Sequence, residues 1–284
     1  MIDLHTHSHY SDGTASPAEV VELAVQAGLT AVALSDHNTV AGLPEFLEAA
    51  QEQGIEGVPA VELSTDYGDT ELHIVGLYIR PEHYETLNAL TEELLQRKER
   101  SNVELVAALN RAGLALDYEG IKARTADGFV NRAVIGGEMV RLGYVSSVKE
   151  AFSKWLKPEL GYFQPPRRLE VFETISLLSS MGAVVVLAHP FLNLKEEALR
   201  QFLPRAKAAG LDAMETLYST YDEETCRLSR AIATEFGLLE SGGSDFHGTN
   251  KPDISVGKGR GGLEVPDLFL ERLKTACDGR KICP

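Results

Sequence analysis

The residues equipped for chemistry begin with Asp3-Leu4-His5-Thr6-His7, which sets two imidazoles at a period of two. If Ile2 to His7 is a strand, both rings leave one face, where two nitrogens can grip one metal ion. Asp12 follows on a polar stretch before Gly13, which puts a carboxylate on the loop leaving that strand. Ser16-Pro17 then opens a helix. An isolated His-x-His is fairly often only a polar strand edge, so the pair needs partners. The chain supplies Ser35-Asp36-His37 after the apolar run 31–34 and Glu62 after 57–61. It adds His73 in Leu72-His73-Ile74-Val75-Gly76, His189 after 183–188, and Ser244-Asp245-Phe246-His247 after 238–241. Six of the eight histidines (His5, His7, His37, His73, His189, His247) thus stand at or just after candidate strands, with three carboxylates, Asp12, Glu62 and Asp245.

The elements that must position these groups follow from the hydrophobic pattern. From Ile2 to about Leu77, short apolar runs alternate with amphipathic segments at 18–27 and 43–53. Gly28 and Gly54 sit where left-handed helix C-caps belong. Repeated βα units predict a mainly parallel sheet, and donors at the ends of several strands favour a barrel with its site at the C-terminal rim. After Arg80-Pro81 the rhythm changes. Residues 83–112 carry Leu87, Leu90, Leu94, Leu95, Val103, Val106 and Leu109 at helical spacing, and shorter helices are predicted at 118–124, 131–142 and 148–156. A loop with three prolines, 157–167, leads back to βα units with helices at 168–181, 195–209 and 222–235 and strands at 183–188, 213–217 and 238–241. The expected organisation is a metal-binding barrel of residues 1–80 and 169–284 around an inserted helical subdomain, 81–168.

Imidazoles and carboxylates without a thiolate suit Mn²⁺, Zn²⁺ or Fe²⁺ alike. Nine donors exceed the needs of one ion that keeps a water position open, so two or three ions are expected. Multinuclear sites suit phosphoryl transfer because the ions ionise water near neutral pH and hold both the attacking and the leaving oxygen.

Taken together, Asp3-Leu4-His5-Thr6-His7, Ser11-Asp12-Gly13, Ser35-Asp36-His37, Glu62, His73, Ala188-His189-Pro190 and Ser244-Asp245-Phe246-His247 resemble the polymerase and histidinol phosphatase (PHP) family. The resemblance implies an α/β fold, a distorted (β/α)7 barrel, with a trinuclear metal site, Mn²⁺ being the expected ion, and phosphoesterase activity. It implies that His5, His7, Glu62 and Asp245 hold one ion, Glu62 with His73 and His189 a second, and Asp12, His37 and His247 a third, with Glu62 bridging. The catalytic set would be His5, His7, Glu62, His189 and Asp245. The helical insertion is similar to that of the subgroup acting on nucleoside 3′,5′-bisphosphates and on 5′ ends of short RNA. Within it, Phe129-Val130-Asn131-Arg132 opens a helix, so Arg132 could seat a phosphate beside backbone N–H groups; Lys157 is a weaker candidate, as are Arg167 and Arg168. The expected reaction is in-line attack of a metal-bridging hydroxide on the 3′-phosphate, with the leaving-group proton drawn from Asp36, His9 or solvent.

Composition bounds these expectations. The 284 residues can bury a large core, no apolar stretch is long enough to span a bilayer, and net charge −15 opposes duplex nucleic acid. Residues 97–168 hold thirteen Lys or Arg against eight Asp or Glu, while the remainder holds fourteen against thirty-four. A carboxylate-lined metal cluster and a separate basic segment would together suit a small anionic substrate such as a nucleotide, held by both. The three cysteines Cys226, Cys277 and Cys283 have no metal-type spacing, and a cytoplasmic location is expected. Gly257-Lys258-Gly259-Arg260-Gly261-Gly262 lacks the Gly-Lys-Ser/Thr ending of a nucleotide P-loop and reads as a flexible basic loop. The competing readings are a phosphatase for a small monoester such as histidinol phosphate, and a non-catalytic domain that keeps metal for stability.

Overall fold

The structure, a computed structural model, describes residues 1–125 and 130–280. Phe129 and Cys283 lie outside the described residues. The chain divides into two compact units, residues 1–89 with 168–284, and residues 90–167.

The first unit is built on strands β1 (Ile2–Asp3), β2 (Ala31–Leu34), β3 (Glu56–Tyr67), β4 (Thr70–Leu77), β5 (Leu169–Glu170), β6 (Val184–Leu187), β7 (Ala213–Tyr218) and β8 (Leu239–Gly243). They pair in the order β1-β2-β3-β4-β6-β7-β8, with β5 beside β3. The sheet then nearly closes on itself: Leu4 N–H donates to Gly242 O at 3.1 Å, Asp245 N–H to His5 O at 2.7 Å and His7 N–H to Phe246 O at 2.9 Å. This is the distorted (β/α)7 barrel.

Helices α1 (Pro17–Gln26) and α2 (Leu43–Gln53) connect the first three strands. Ser16 caps α1 by accepting from Glu19 N–H while Glu19 returns a carboxylate to Ser16 N–H, and Gly54 ends α2 in the left-handed conformation, φ 70°. The sheet departs from the expected parallel pattern at one strand. β4 runs antiparallel to both β3 and β6, because Gly68 (φ 60°) and Asp69 turn the chain straight back with no helix between. His73 therefore lies near the beginning of its strand, yet at the rim where the parallel strands end.

Alternate strand residues serve two cores. Val32 and Leu34 pack with Val20 and Phe46 of α1 and α2, whereas Ala31, Ala33, Val58, Ala60, Val184 and Val186 pack with Phe269 and Leu273 of the last helix, Asp267–Arg280. The return from the insertion is not all helical as expected. Leu169–Glu170 is a strand, and Glu170 caps the helix Val171–Ser180 by accepting from Phe172 and Glu173 N–H.

A single long helix, Tyr84–Arg111, carries the chain from the first unit to the second. The second unit packs Leu105, Leu109, Ile121, Ile135, Met139, Leu156 and Phe163 into its own core around the helices Tyr118–Arg124 and Arg132–Arg141. The expected helix 148–156 is α-helical only over Val148–Ala151 and widens to a π-turn at Phe152–Leu156. Among the described residues no helix is long and apolar enough to cross a membrane.

Candidate metal centre

All nine predicted donors meet at one rim of the barrel, around Glu62. Three imidazoles face Oε2 of this fully buried carboxylate: His37 Nδ1 at 2.9 Å, His5 Nε2 at 3.2 Å and His7 Nε2 at 3.3 Å. Two more face Oε1, His73 Nδ1 at 3.0 Å and His189 Nε2 at 3.1 Å. Asp245 Oδ1 stands 3.2 Å from His7 Nε2 and 3.4 Å from His247 Nδ1, and Asp12 Oδ1 stands 3.1 Å from His247 Nε2.

Four donor sets have ligand atoms within 4.8 Å of one another: His7, Asp12, His37 and His247; His5, His7 and Asp245; His5, Glu62 and His189; His37, Glu62 and His73. In this grouping His73 falls with His37 and His189 with His5, although both rings touch the same Glu62 oxygen. His7 turns Nδ1 toward Asp12 and Nε2 toward Asp245, so its single neutral lone pair can serve one set. The side chains of Asp12, His37 and His73 are 58%, 21% and 17% exposed, whereas those of His5, His7 and Glu62 are fully buried, so solvent reaches the centre from the Asp12 side.

The fit to metal ions rests on orphaned donors. His5 Nε2, both nitrogens of His7, His37 Nδ1 and Glu62 Oε2 are buried without a hydrogen-bond partner, an arrangement that buried polar atoms avoid unless something else fills their lone pairs. The imidazoles and carboxylates perturb one another. Burial pulls His73 down, but the Glu62 carboxylate and its hydrogen bond outweigh that and push it up to about 10. Burial and the neighbouring His37 hold His7 down at about 3. Burial would raise Glu62, yet His37, His5 and His73 keep it well below the usual carboxylate range.

The loop carrying Asp12 is anchored by Asp36, which accepts from Ser8 N–H (2.8 Å) and from the hydroxyls of Ser8 and Ser11 (2.6 Å each). Both carboxylate oxygens are thus engaged, and Asp36 holds the loop. Asp3, in β1, acts similarly: fully buried, it accepts from the N–H groups of His5, Ser244 and Gly257. The Gly257 loop is tied to the barrel by this contact. His9 is exposed and stacks on Tyr10 at 4.8 Å.

In the second unit, Arg132 begins its helix, as Asn131 caps the helix by accepting from Val134 N–H. Its guanidinium lies 4.4 Å from the Phe163 ring centre and donates to Leu156 O at 3.2 Å. Lys157 is half exposed and stands 3.7 Å from Glu159. Arg168 pairs with Asp66 and Glu71 on the barrel hairpin.

Three residues of the centre escaped the sequence reading. Glu215 touches His5, while Tyr218 and Lys251 both touch Asp245. Glu215 had a signal, being the one acidic residue in the apolar run Ala-Met-Glu-Thr-Leu-Tyr; Lys251 had none.

Comparison with known proteins agrees with this geometry. The PHP domain matches residues 3–160. The 5′-3′ exoribonuclease of Haemophilus influenzae is 35% identical over 246 residues, 86% of this chain and 89% of that one. The 3′,5′-nucleoside bisphosphate phosphatase of Chromobacterium violaceum is 29% identical over 259 residues, 90% of each. An amidohydrolase structure from Chromobacterium violaceum with bound sulfate superposes with TM-score 0.73 at 28% identity, covering 97% of this chain and 96% of that one. Homology over nearly the full length and the convergence of donors on Glu62 lead to one conclusion: the chain belongs to the PHP domain family and is a metal-dependent phosphoesterase.

Proposed function

We propose that this enzyme removes the 3′-phosphate from nucleoside 3′,5′-bisphosphates. The observation that carries the phosphatase reading is the five imidazoles turned onto one buried carboxylate, Glu62, with a solvent-open side at Asp12. The nucleotide reading draws on the relative named 3′,5′-nucleoside bisphosphate phosphatase and on the basic balance of residues 97–168. A second reading, trimming of short RNA from the 5′ end, draws on the more similar relative named 5′-3′ exoribonuclease. Both are hydrolyses of phosphate esters of a nucleotide, and one site can perform both.

The residues we assign to metal are His5, His7, Asp12, His37, Glu62, His73, His189, Asp245 and His247, with two or three divalent ions and Mn²⁺ expected. Such ions supply Lewis-acid polarisation of phosphoryl oxygens and ionise water near neutral pH. The chain's own part is positional. Buried Glu62 and the surrounding imidazoles fix the donors, Asp36 holds the loop that presents Asp12, and the open side at Asp12, His37 and His73 admits the substrate. Arg132 is assigned to a substrate phosphate, since a planar guanidinium at a helix start suits bidentate contact with phosphoryl oxygens, and Lys157 is assigned the same role.

The test compares turnover of adenosine 3′,5′-bisphosphate, a 5′-phosphorylated RNA of a few nucleotides and histidinol phosphate, each with Mn²⁺. The expected order places the bisphosphate or the RNA far ahead. A preference for histidinol phosphate would overturn the nucleotide assignment, and bound metal with no hydrolysis of any ester would overturn catalysis.

A further inference from the structure

β7 is an apolar strand with one carboxylate in it, and that carboxylate, Glu215, is 2% exposed. A charge buried this deeply persists only where donors fill its oxygens. Both oxygens are filled, by two residues that follow different strands, His5 after β1 and His189 after β6. Oε1 lies 2.8 Å from His5 Nδ1, and Oε2 accepts the backbone N–H of His189 at 2.6 Å.

Each contact constrains a residue of the metal centre. A carboxylate only accepts, so in the neutral ring that binds a cation the proton sits on His5 Nδ1 and the lone pair is left on Nε2, the atom that faces Glu62 without a hydrogen-bond partner. His189 has φ 27° and ψ 54°, a backbone conformation that L residues disfavour. The Glu215 bond fixes the N–H of that strained residue, whose ring then reaches Glu62 Oε1. We infer that Glu215 is a positioning residue that assembles one donor set, His5, Glu62 and His189, and selects the His5 tautomer able to bind a cation through Nε2. The inference rests on the metal reading of the site given above.

Glu215→Gln tests it with nearly unchanged volume, because an amide cannot satisfy both donors. With its oxygen toward His5, its NH₂ opposes the His189 N–H. Flipped, its NH₂ donates to His5 Nδ1 and drives the proton to Nε2, which closes the lone pair. Purified protein is stripped with chelator and reloaded with Mn²⁺ or Zn²⁺, and ions per chain are counted by mass spectrometry, with affinities from calorimetry. The expected result is a folded variant holding at least one ion fewer than the unsubstituted protein, while the set His7, Asp12, His37 and His247, which Glu215 does not touch, keeps its own. An unchanged ion count at unchanged affinity overturns the proposal, and so does loss of every ion from a folded variant. His189→Ala separates the two layers: if it holds the full ion complement, the ligand assignment fails, independently of Glu215. Should the glutamine variant not fold, long-range ¹H–¹⁵N spectra of the unsubstituted zinc-loaded protein decide instead. His5 protonated on Nδ1 supports the assignment, and His5 protonated on Nε2 overturns it.

Discussion

The ammonium of Lys251 stands 2.7 Å from Asp245 Oδ2, the same oxygen that accepts the Tyr218 hydroxyl at 2.6 Å. The other oxygen of Asp245 faces the imidazoles of His7 and His247. A fixed positive charge beside a proposed cation site repels the cations it adjoins, although solvent weakens the effect because the Lys251 side chain is 36% exposed. Lys251→Met should therefore tighten ion binding, by roughly two- to tenfold. Calorimetric titration with Mn²⁺ checks this, and weaker binding would mean that Lys251 matters more by orienting Asp245.

Ion uptake should release protons. In the metal-free protein burial lowers His73, but Glu62 overrides it and holds the ring protonated up to about pH 10; His37 and His5 are raised for the same reason, whereas His7 is already neutral above about pH 3. A cation must displace those protons, so affinity rises with pH between about 6 and 10. The sign for stability is opposite: a raised imidazole stabilises the metal-free fold fully below its unfolded value near 6.5 and loses that contribution as pH climbs through 10. Calorimetry in buffers of different ionisation enthalpy measures the released protons, and uptake without proton release at pH 7.5 would contradict the account.

Gly243 admits β1 where nothing larger would fit. A Cβ there would lie 2.5 Å from His5 N and 2.4 Å from His5 Cβ, and a backbone atom cannot step aside. Gly243→Ala should cost about 2 kcal/mol of stability by overpacking. It should also lower metal content, because the displaced residue is His5. Urea denaturation and ion counting on the same preparation test both, and a variant equal to the parent in each would show that the strands separate freely.

Arg132→Ala should leave metal content unchanged and lower kcat/KM by roughly 100-fold or more, the scale of losing a charge-assisted phosphate contact with little solvent compensation. Its bonds to Leu156 O and its stacking on Phe163 are internal to the second unit, so thermal unfolding must be measured alongside. Unchanged kinetics in a folded variant would remove Arg132 from the substrate.

The barrel and the convergence of the candidate donors were legible because metal chemistry restricts residue type and strand ends restrict position. His5 and His7 at period two, and His37, His189 and His247 each beside an apolar run, satisfied both restrictions at once. What surrounds the donors was less legible. Lys251 reaches Asp245 from a turn of irregular backbone, where no periodicity marks which side chain points inward. The antiparallel β4 was missed because Leu72 to Gly76 looks the same in either direction, and only Gly68-Asp69 distinguishes a hairpin from a βα unit. Glu215 sat in plain view as an acid in an apolar strand, but its two partners, His5 and the His189 N–H, are 210 and 26 residues away.

The bonds that shut the barrel pass through His5, His7 and Asp245, which are also proposed ligands. A cation held by these side chains staples the two flanking strands together, so its binding free energy is added to the resistance of the whole fold to opening. Starvation for metal would then leave a protein that is loosened as well as idle, unzipping first where its earliest and latest strands touch and becoming prey to proteases there.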